Sequence, residues 1–144
     1  MYSTRIVCIA LLAGSACLAQ APSGAGSTFQ KLVQEARSRI KEVTVAQFQS
    51  LMNSDPKPVV VDVREDAEWQ AGHAAGAIHV GRGVLERDIE NAVPMKDTLV
   101  VVYCQGGGRS ALAADSLQKM GYTKVYSLAG GLNAYRQAAM PMAK

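Results

Sequence analysis

Continuous apolar runs and helix-spaced apolar stripes alternate along the chain. The runs Pro58 to Val63, Ala77 to Val80, Leu99 to Tyr103 and Lys124 to Leu128 are rich in β-branched residues and predict buried strands. Between them, apolar residues recur three and four positions apart, the spacing of one helix face. Leu32, Val33, Ala36 and Ile40 give such a stripe to a helix predicted over 28–43, opened by a capping box at Ser27-Thr28-Phe29-Gln30. Its polar face carries Lys31, Glu35, Arg37, Arg39 and Lys41. Thr44-Val45-Ala46-Gln47 repeats the capping pattern ahead of Phe48, Leu51 and Met52. Further helices are predicted from Arg64 to Gln70, around Val84, Leu85 and Ile89, through Ala111, Leu112, Ala114, Leu117 and Met120, and from Leu132 to Ala139. Gly121 stands where a helix-ending glycine belongs. Strands alternating with helices imply an α/β fold, with a mostly parallel sheet and helices on both faces.

The first 19 residues depart from this pattern. Arg5 precedes an apolar core from Ile6 to Ala13. That core is shorter than the ~20 apolar residues of a membrane span. Cys17-Leu18-Ala19 puts small residues where a signal peptidase reads them, so residues 1–19 are expected to be an export signal cut before Gln20. The mature protein is then periplasmic or secreted, with no membrane span of its own. Lipidation at Cys17 fits less well, because Gly14 occupies a position that prefers leucine. Small and polar residues over 20–27 read as a flexible tether, leaving one domain over 44–144.

Fifteen basic residues against 12 acidic ones give a net charge of +3 over 144 residues, with no basic run. Nucleic-acid binding, which concentrates positive charge on one surface, is disfavoured. Cys8 and Cys17 fall in the leader, so Cys104 is the single thiol of the mature chain. A structural disulfide and two-cysteine redox chemistry are both excluded for that chain. His73 and His79 with one cysteine make no convincing metal site. The chain carries no nucleotide-binding motif, and no cofactor is expected.

Cys104 ends the run Leu99 to Tyr103 and is followed by Gln105, Gly106, Gly107, Gly108, Arg109 and Ser110. A thiol thus sits where a strand turns through glycines into a helix, the end of an α/β sheet where ligands bind. Glycines let the loop aim several backbone N–H groups at one point. The helix start and Arg109 add positive charge. Such surroundings favour the anionic form of a cysteine sulfur and an anionic group attached to it. Cys104 is the candidate nucleophile, and Gln105, Gly106, Gly107, Gly108 and Arg109 are the candidate substrate-binding residues. Asp62, Arg64, His73 and Ser110 are read as structural.

Three stretches resemble the rhodanese-like single-domain sulfurtransferases. They are Val61-Asp62-Val63-Arg64-Glu65 with Glu68-Trp69, Gly72-His73 and Gly76-Ala77-Ile78; Val102-Tyr103-Cys104 with Gly107 and Arg109-Ser110; and Gly121-Tyr122, Val125, Leu128 and Gly130-Gly131. The resemblance implies a five-stranded parallel sheet of order 1-5-4-2-3, with the cysteine loop as active site. The predicted helix at 28–43 lies outside the family core. Ala75 stands where the family usually has proline, and Tyr135 where tryptophan is common. The loop interior lacks the charged residues of members that favour thiosulfate.

The resemblance also implies the reaction. The Cys104 thiolate takes the outer sulfur of thiosulfate or a low-molecular-weight persulfide, then passes it to a thiol, to cyanide or to a protein acceptor. Four residues separate Cys104 from Arg109. Cysteine phosphatases have one more, which makes room for phosphate. Two alternatives stay open: a persulfide-holding carrier or sensor without turnover, and a phosphatase.

Overall fold

The computed structural model describes residues 26–144. The predicted export signal, and residues 20–25 of the predicted tether, lie outside the described residues.

In chain order the elements are α1 (Thr28–Arg37), β1 (Lys41–Val43), α2 (Val45–Met52), β2 (Val59–Asp62), α3 (Asp66–Gln70), β3 (His73–Ala74), β4 (Ile78–His79), α4 (Leu85–Ala92), β5 (Leu99–Tyr103), α5 (Gly108–Lys119), β6 (Lys124–Leu128), α6 (Gly131–Gln137) and β7 (Met142–Ala143). Five strands form one sheet in the order β1-β6-β5-β2-β4. Every pairing in it is parallel. Counting those five strands in sequence, the order is the expected 1-5-4-2-3. A separate antiparallel pair joins β3 to β7.

Strand alternation divides the core into two layers. Val100, Val102 and Cys104 face one side, with Leu85, Ile89 and Leu117 from α4 and α5. Val101 and Tyr103 face the other, with Phe48 from α2 and Leu132 and Tyr135 from α6. Helices therefore cover both faces, and the cysteine sits on the α5 side.

Both predicted capping boxes are present, at Ser27 with Gln30 and at Thr44 with Gln47. The helix predicted over 28–43 is corrected: it ends at Arg37, and Lys41–Val43 is the edge strand β1, paired with β6. Only Val43 of those three residues is buried, so no apolar run announced the strand. Its parallel partner lies more than 80 positions downstream, with Lys41 opposite Tyr126. Helix α5 begins at Gly108, ahead of its apolar stripe.

Helix α1 lies on α5. Val33 and Ala36 are buried. Beyond the helix, Arg39 donates to both carboxylate oxygens of Asp115 on α5, at 2.8 and 3.0 Å. Lys119 donates to the same carboxylate at 2.7 Å. These hydrogen bonds, first those from Arg39, hold the Asp115 carboxyl below the usual range.

Candidate active site

The chain leaves β5 through Cys104 and turns at Gly107, whose φ of 94° is a left-handed conformation that glycine adopts without strain. The turn brings the Gly107 N–H onto the cysteine, donating to Sγ at 3.1 Å. Ser110 on α5 donates to the Gly107 carbonyl at 3.2 Å, and Ser127 on β6 donates to Ser110 at 3.0 Å. Both serines are buried, so the start of α5 is tied to the sheet.

The N-terminus of α6 fixes the other side of the loop. Leu132 N–H donates to the Cys104 carbonyl at 2.8 Å, and Asn133 N–H to the Gln105 carbonyl at 3.1 Å. A trans peptide points its N–H opposite to its C=O. Docking these two carbonyls on α6 therefore turns the N–H groups of Gln105 and Gly106 away from α6. This contact requires Gly131. A Cβ there would collide with the Cys104 carbonyl oxygen and would lie 2.9 Å from the Gln105 carbonyl carbon.

Gln105 is held rather than free. Arg64 donates to its Oε1 at 3.3 Å, and its own amide donates to Asn133. Arg64 is itself buried, with Nε and Nη2 on Asp62 and Nη2 also on the Gly72 carbonyl at 2.9 Å. The buried Asp62–Arg64 pair thus braces the cysteine loop, the structural role read from sequence. His73 and His79 flank Trp69 in a stack, with ring centroids 3.4 and 5.0 Å away. Their place is in packing. Among the described residues, no group of three or more His, Cys, Asp or Glu could hold a metal. None of the described helices is long and apolar enough to cross a membrane.

Arg109 borders the cysteine, but its guanidinium is engaged by Glu68 of α3. Nη1 donates to Oε2 at 2.6 Å and Nη2 to Oε1 at 2.8 Å. Arg109, followed by the Glu65 backbone N–H, holds the Glu68 carboxyl down to about 2. Hydrogen bonding to Glu68 in turn raises Arg109 above its usual value. The positive charge expected from Arg109 is therefore balanced locally by a carboxylate whose role the sequence did not announce.

Cys104 is only 2% exposed. It nevertheless lines an open cleft of about 910 Å³, together with Gly106, Gly108 and Arg109. The opposite wall comes from Phe29, Val33 and Arg37 of α1. Of the six candidate site residues, four line the cleft. Gly107 supplies the N–H to the sulfur, and the Gln105 side chain is turned to Arg64 and Asn133. The α1 wall was missed because Phe29 reads as part of a capping box and Arg37 as a solvent-facing charge.

The model of the rhodanese-like domain matches residues 44–138. The chain belongs to the rhodanese-like domain family. Over 84 residues this rhodanese-like chain is 40% identical to the thiosulfate sulfurtransferase PspE of Escherichia coli, covering 58% of the chain and 77% of PspE. Over 98 residues it is 31% identical to the putative sulfur carrier protein YrkF of Bacillus subtilis, covering 68% of the chain. The chain spans about half of YrkF, 52% of its length. A Rhodopseudomonas palustris structure, of a protein described as of unknown function and a possible tyrosine phosphatase, superposes with a TM-score of 0.71 at 32% identity. That match covers 86% of this chain and all of the other.

Ala75 and Tyr135, the two positions read from sequence as departing from the family resemblance, meet at one atom. The Ala75 N–H donates to the Pro141 carbonyl at 3.0 Å, and the Tyr135 hydroxyl donates to the same oxygen at 2.8 Å. A proline at 75 has no N–H to give, and a tryptophan at 135 has no hydroxyl. Together the two residues pin the segment leading into β7.

Proposed function

We propose that this rhodanese-like protein is a sulfurtransferase that carries sulfane sulfur on Cys104. The Cys104 thiolate attacks the outer sulfur of a donor, forming an S–S bond. The bond between that sulfur and the donor remnant breaks, and the remnant leaves with the electron pair. From thiosulfate, the products are sulfite and a Cys104 persulfide anion. An acceptor thiolate or cyanide then attacks the outer sulfur of the persulfide and restores the Cys104 thiolate. The N–H groups of the loop from Gln105 to Arg109 stabilise the terminal sulfur anion, as an oxyanion hole stabilises oxygen. Arg64, through Gln105, keeps that loop in place.

The observation that carries this reading is the cradle itself. The Cys104 sulfur lines an open cleft, accepts from the Gly107 N–H at 3.1 Å, and is followed by a four-residue turn to Arg109. The likeness to PspE supports thiosulfate as one donor. The likeness to YrkF favours a second reading, in which the persulfide is held for a specific protein acceptor. The short loop and the engagement of Arg109 by Glu68 speak against phosphate, which such loops grip with an arginine fork.

Steady-state assays separate these readings. A sulfurtransferase gives parallel double-reciprocal plots with thiosulfate and cyanide, the pattern of two half-reactions. A carrier gives one stoichiometric release of sulfur and no turnover. Cys104-dependent release of p-nitrophenol from p-nitrophenyl phosphate would overturn both. The export signal proposed for residues 1–19 is tested by the N-terminus of the mature protein, expected at Gln20.

A further inference from the structure

The cleft above Cys104 has one wall from the rhodanese-like core and one from α1. A side chain begun at Gly108 would meet the Phe29 ring at 3.1 Å and Val33 at 3.6 Å. One begun at Gly107 would meet Arg37 Nη2 at 3.4 Å. Helix α1 therefore stands directly over the nucleophile loop. Phe29 is 51% exposed although it faces the cleft, an apolar surface that none of the described residues covers. Among the described residues, the Arg37 side chain donates only through Nε, to Glu42 at 3.2 Å. Its Nη donors are unused at the loop, whereas both Nη groups of Arg109 are taken by Glu68.

A small inorganic anion neither fills a cleft of this size nor uses an aromatic wall. Cavities in this range hold organic molecules, with most of the lining apolar and a few polar groups fixing orientation. We propose that α1 selects an organic sulfane-sulfur compound: Phe29 and Val33 take its carbon body and Arg37 its anionic group. This rests on the sulfurtransferase reading above and names its substrate class. For a thiosulfonate, the Cys104 thiolate bonds to the terminal sulfur, the S–S bond to the sulfonyl sulfur breaks, and the sulfinate leaves with the electron pair. Reactants and products each carry two negative charges, so no oxidant or reductant is required.

The test compares kcat/KM for benzenethiosulfonate and for thiosulfate, with cyanide as acceptor. Wild type is expected to prefer benzenethiosulfonate. Phe29→Ala is expected to reduce that preference about five- to tenfold, through KM, the cost of half a ring's burial. Phe29→Tyr, which keeps the ring, restores it. Arg37→Gln is expected to raise KM for benzenethiosulfonate about tenfold, the effect of losing hydrogen bonds to an anion. Met95→Ala, in the turn before β5 and so at the opposite end of the sheet, leaves the preference unchanged. A preference equal in wild type and Phe29→Ala, or one for thiosulfate in wild type, overturns the role of α1 and leaves sulfur transfer standing. Transfer from neither donor overturns both.

Discussion

At Gly131 a missing Cβ decides whether the cysteine loop can dock on α6. Gly131→Ala drives a methyl group into the Cys104 carbonyl at a φ of +55°, where alanine is strained. The variant is expected to lose about 1–3 kcal/mol of stability in urea denaturation. Its sulfur transfer to cyanide should fall at least tenfold, an order-of-magnitude loss from a displaced nucleophile. A second residue-scale effect belongs to Glu68. Its carboxyl drops from about 4.5 to about 2 on folding, chiefly through Arg109. A depressed folded value means the contribution is fully present above the unfolded value and is lost as pH falls toward 2. Thermal melts of wild type and Glu68→Gln should therefore differ most above about pH 5 and converge near pH 2. A gap that widens in acid would contradict this pairing. Cys104 was legible because a thiol ending an apolar run and followed by glycines is a local signal. Glu68 was not, because its partner lies 41 positions away and an ion pair leaves no periodicity.

At the scale of elements, the clearest addition is how the C-terminal segment is held. The Pro141 carbonyl accepts from Ala75 and Tyr135, and β7 then pairs with β3. Tyr135→Phe removes one of those two hydrogen bonds from a half-buried site. It should lower the urea midpoint with an unchanged m value, for a loss of about 1 kcal/mol. A change in m, or no shift in the midpoint, would place the hydroxyl outside the folded-state balance. The long strands were visible as apolar runs. The two-residue strands β3 and β7 and the polar edge strand β1 were not, because short pairings are fixed by distant partners rather than by their own pattern. The stripe of α1 showed a helix that packs, and Val33 and Ala36 do pack. That the same helix also faces the cleft at Cys104 depends on how it crosses α5, which spacing along the chain does not encode.

At the scale of the molecule, the parallel sheet gathers the site at one end. Cys104 follows β5, Gly131 and Asn133 follow β6, and Arg64 follows β2, all at carboxyl ends of neighbouring strands. Alternating strands and helices were enough to expect that layout, while the strand order came from the rhodanese-like motifs. Within the described residues Cys104 is the free cysteine, so among them a covalently held sulfur has one address. The most direct measurement is the intact mass of the protein after exposure to thiosulfate or benzenethiosulfonate, followed by cyanide. Transfer through Cys104 predicts a gain of one sulfur atom on wild type, its loss with an equal amount of thiocyanate formed, and no gain on Cys104→Ser. An unchanged wild-type mass with both donors, or the same gain on Cys104→Ser, would contradict it.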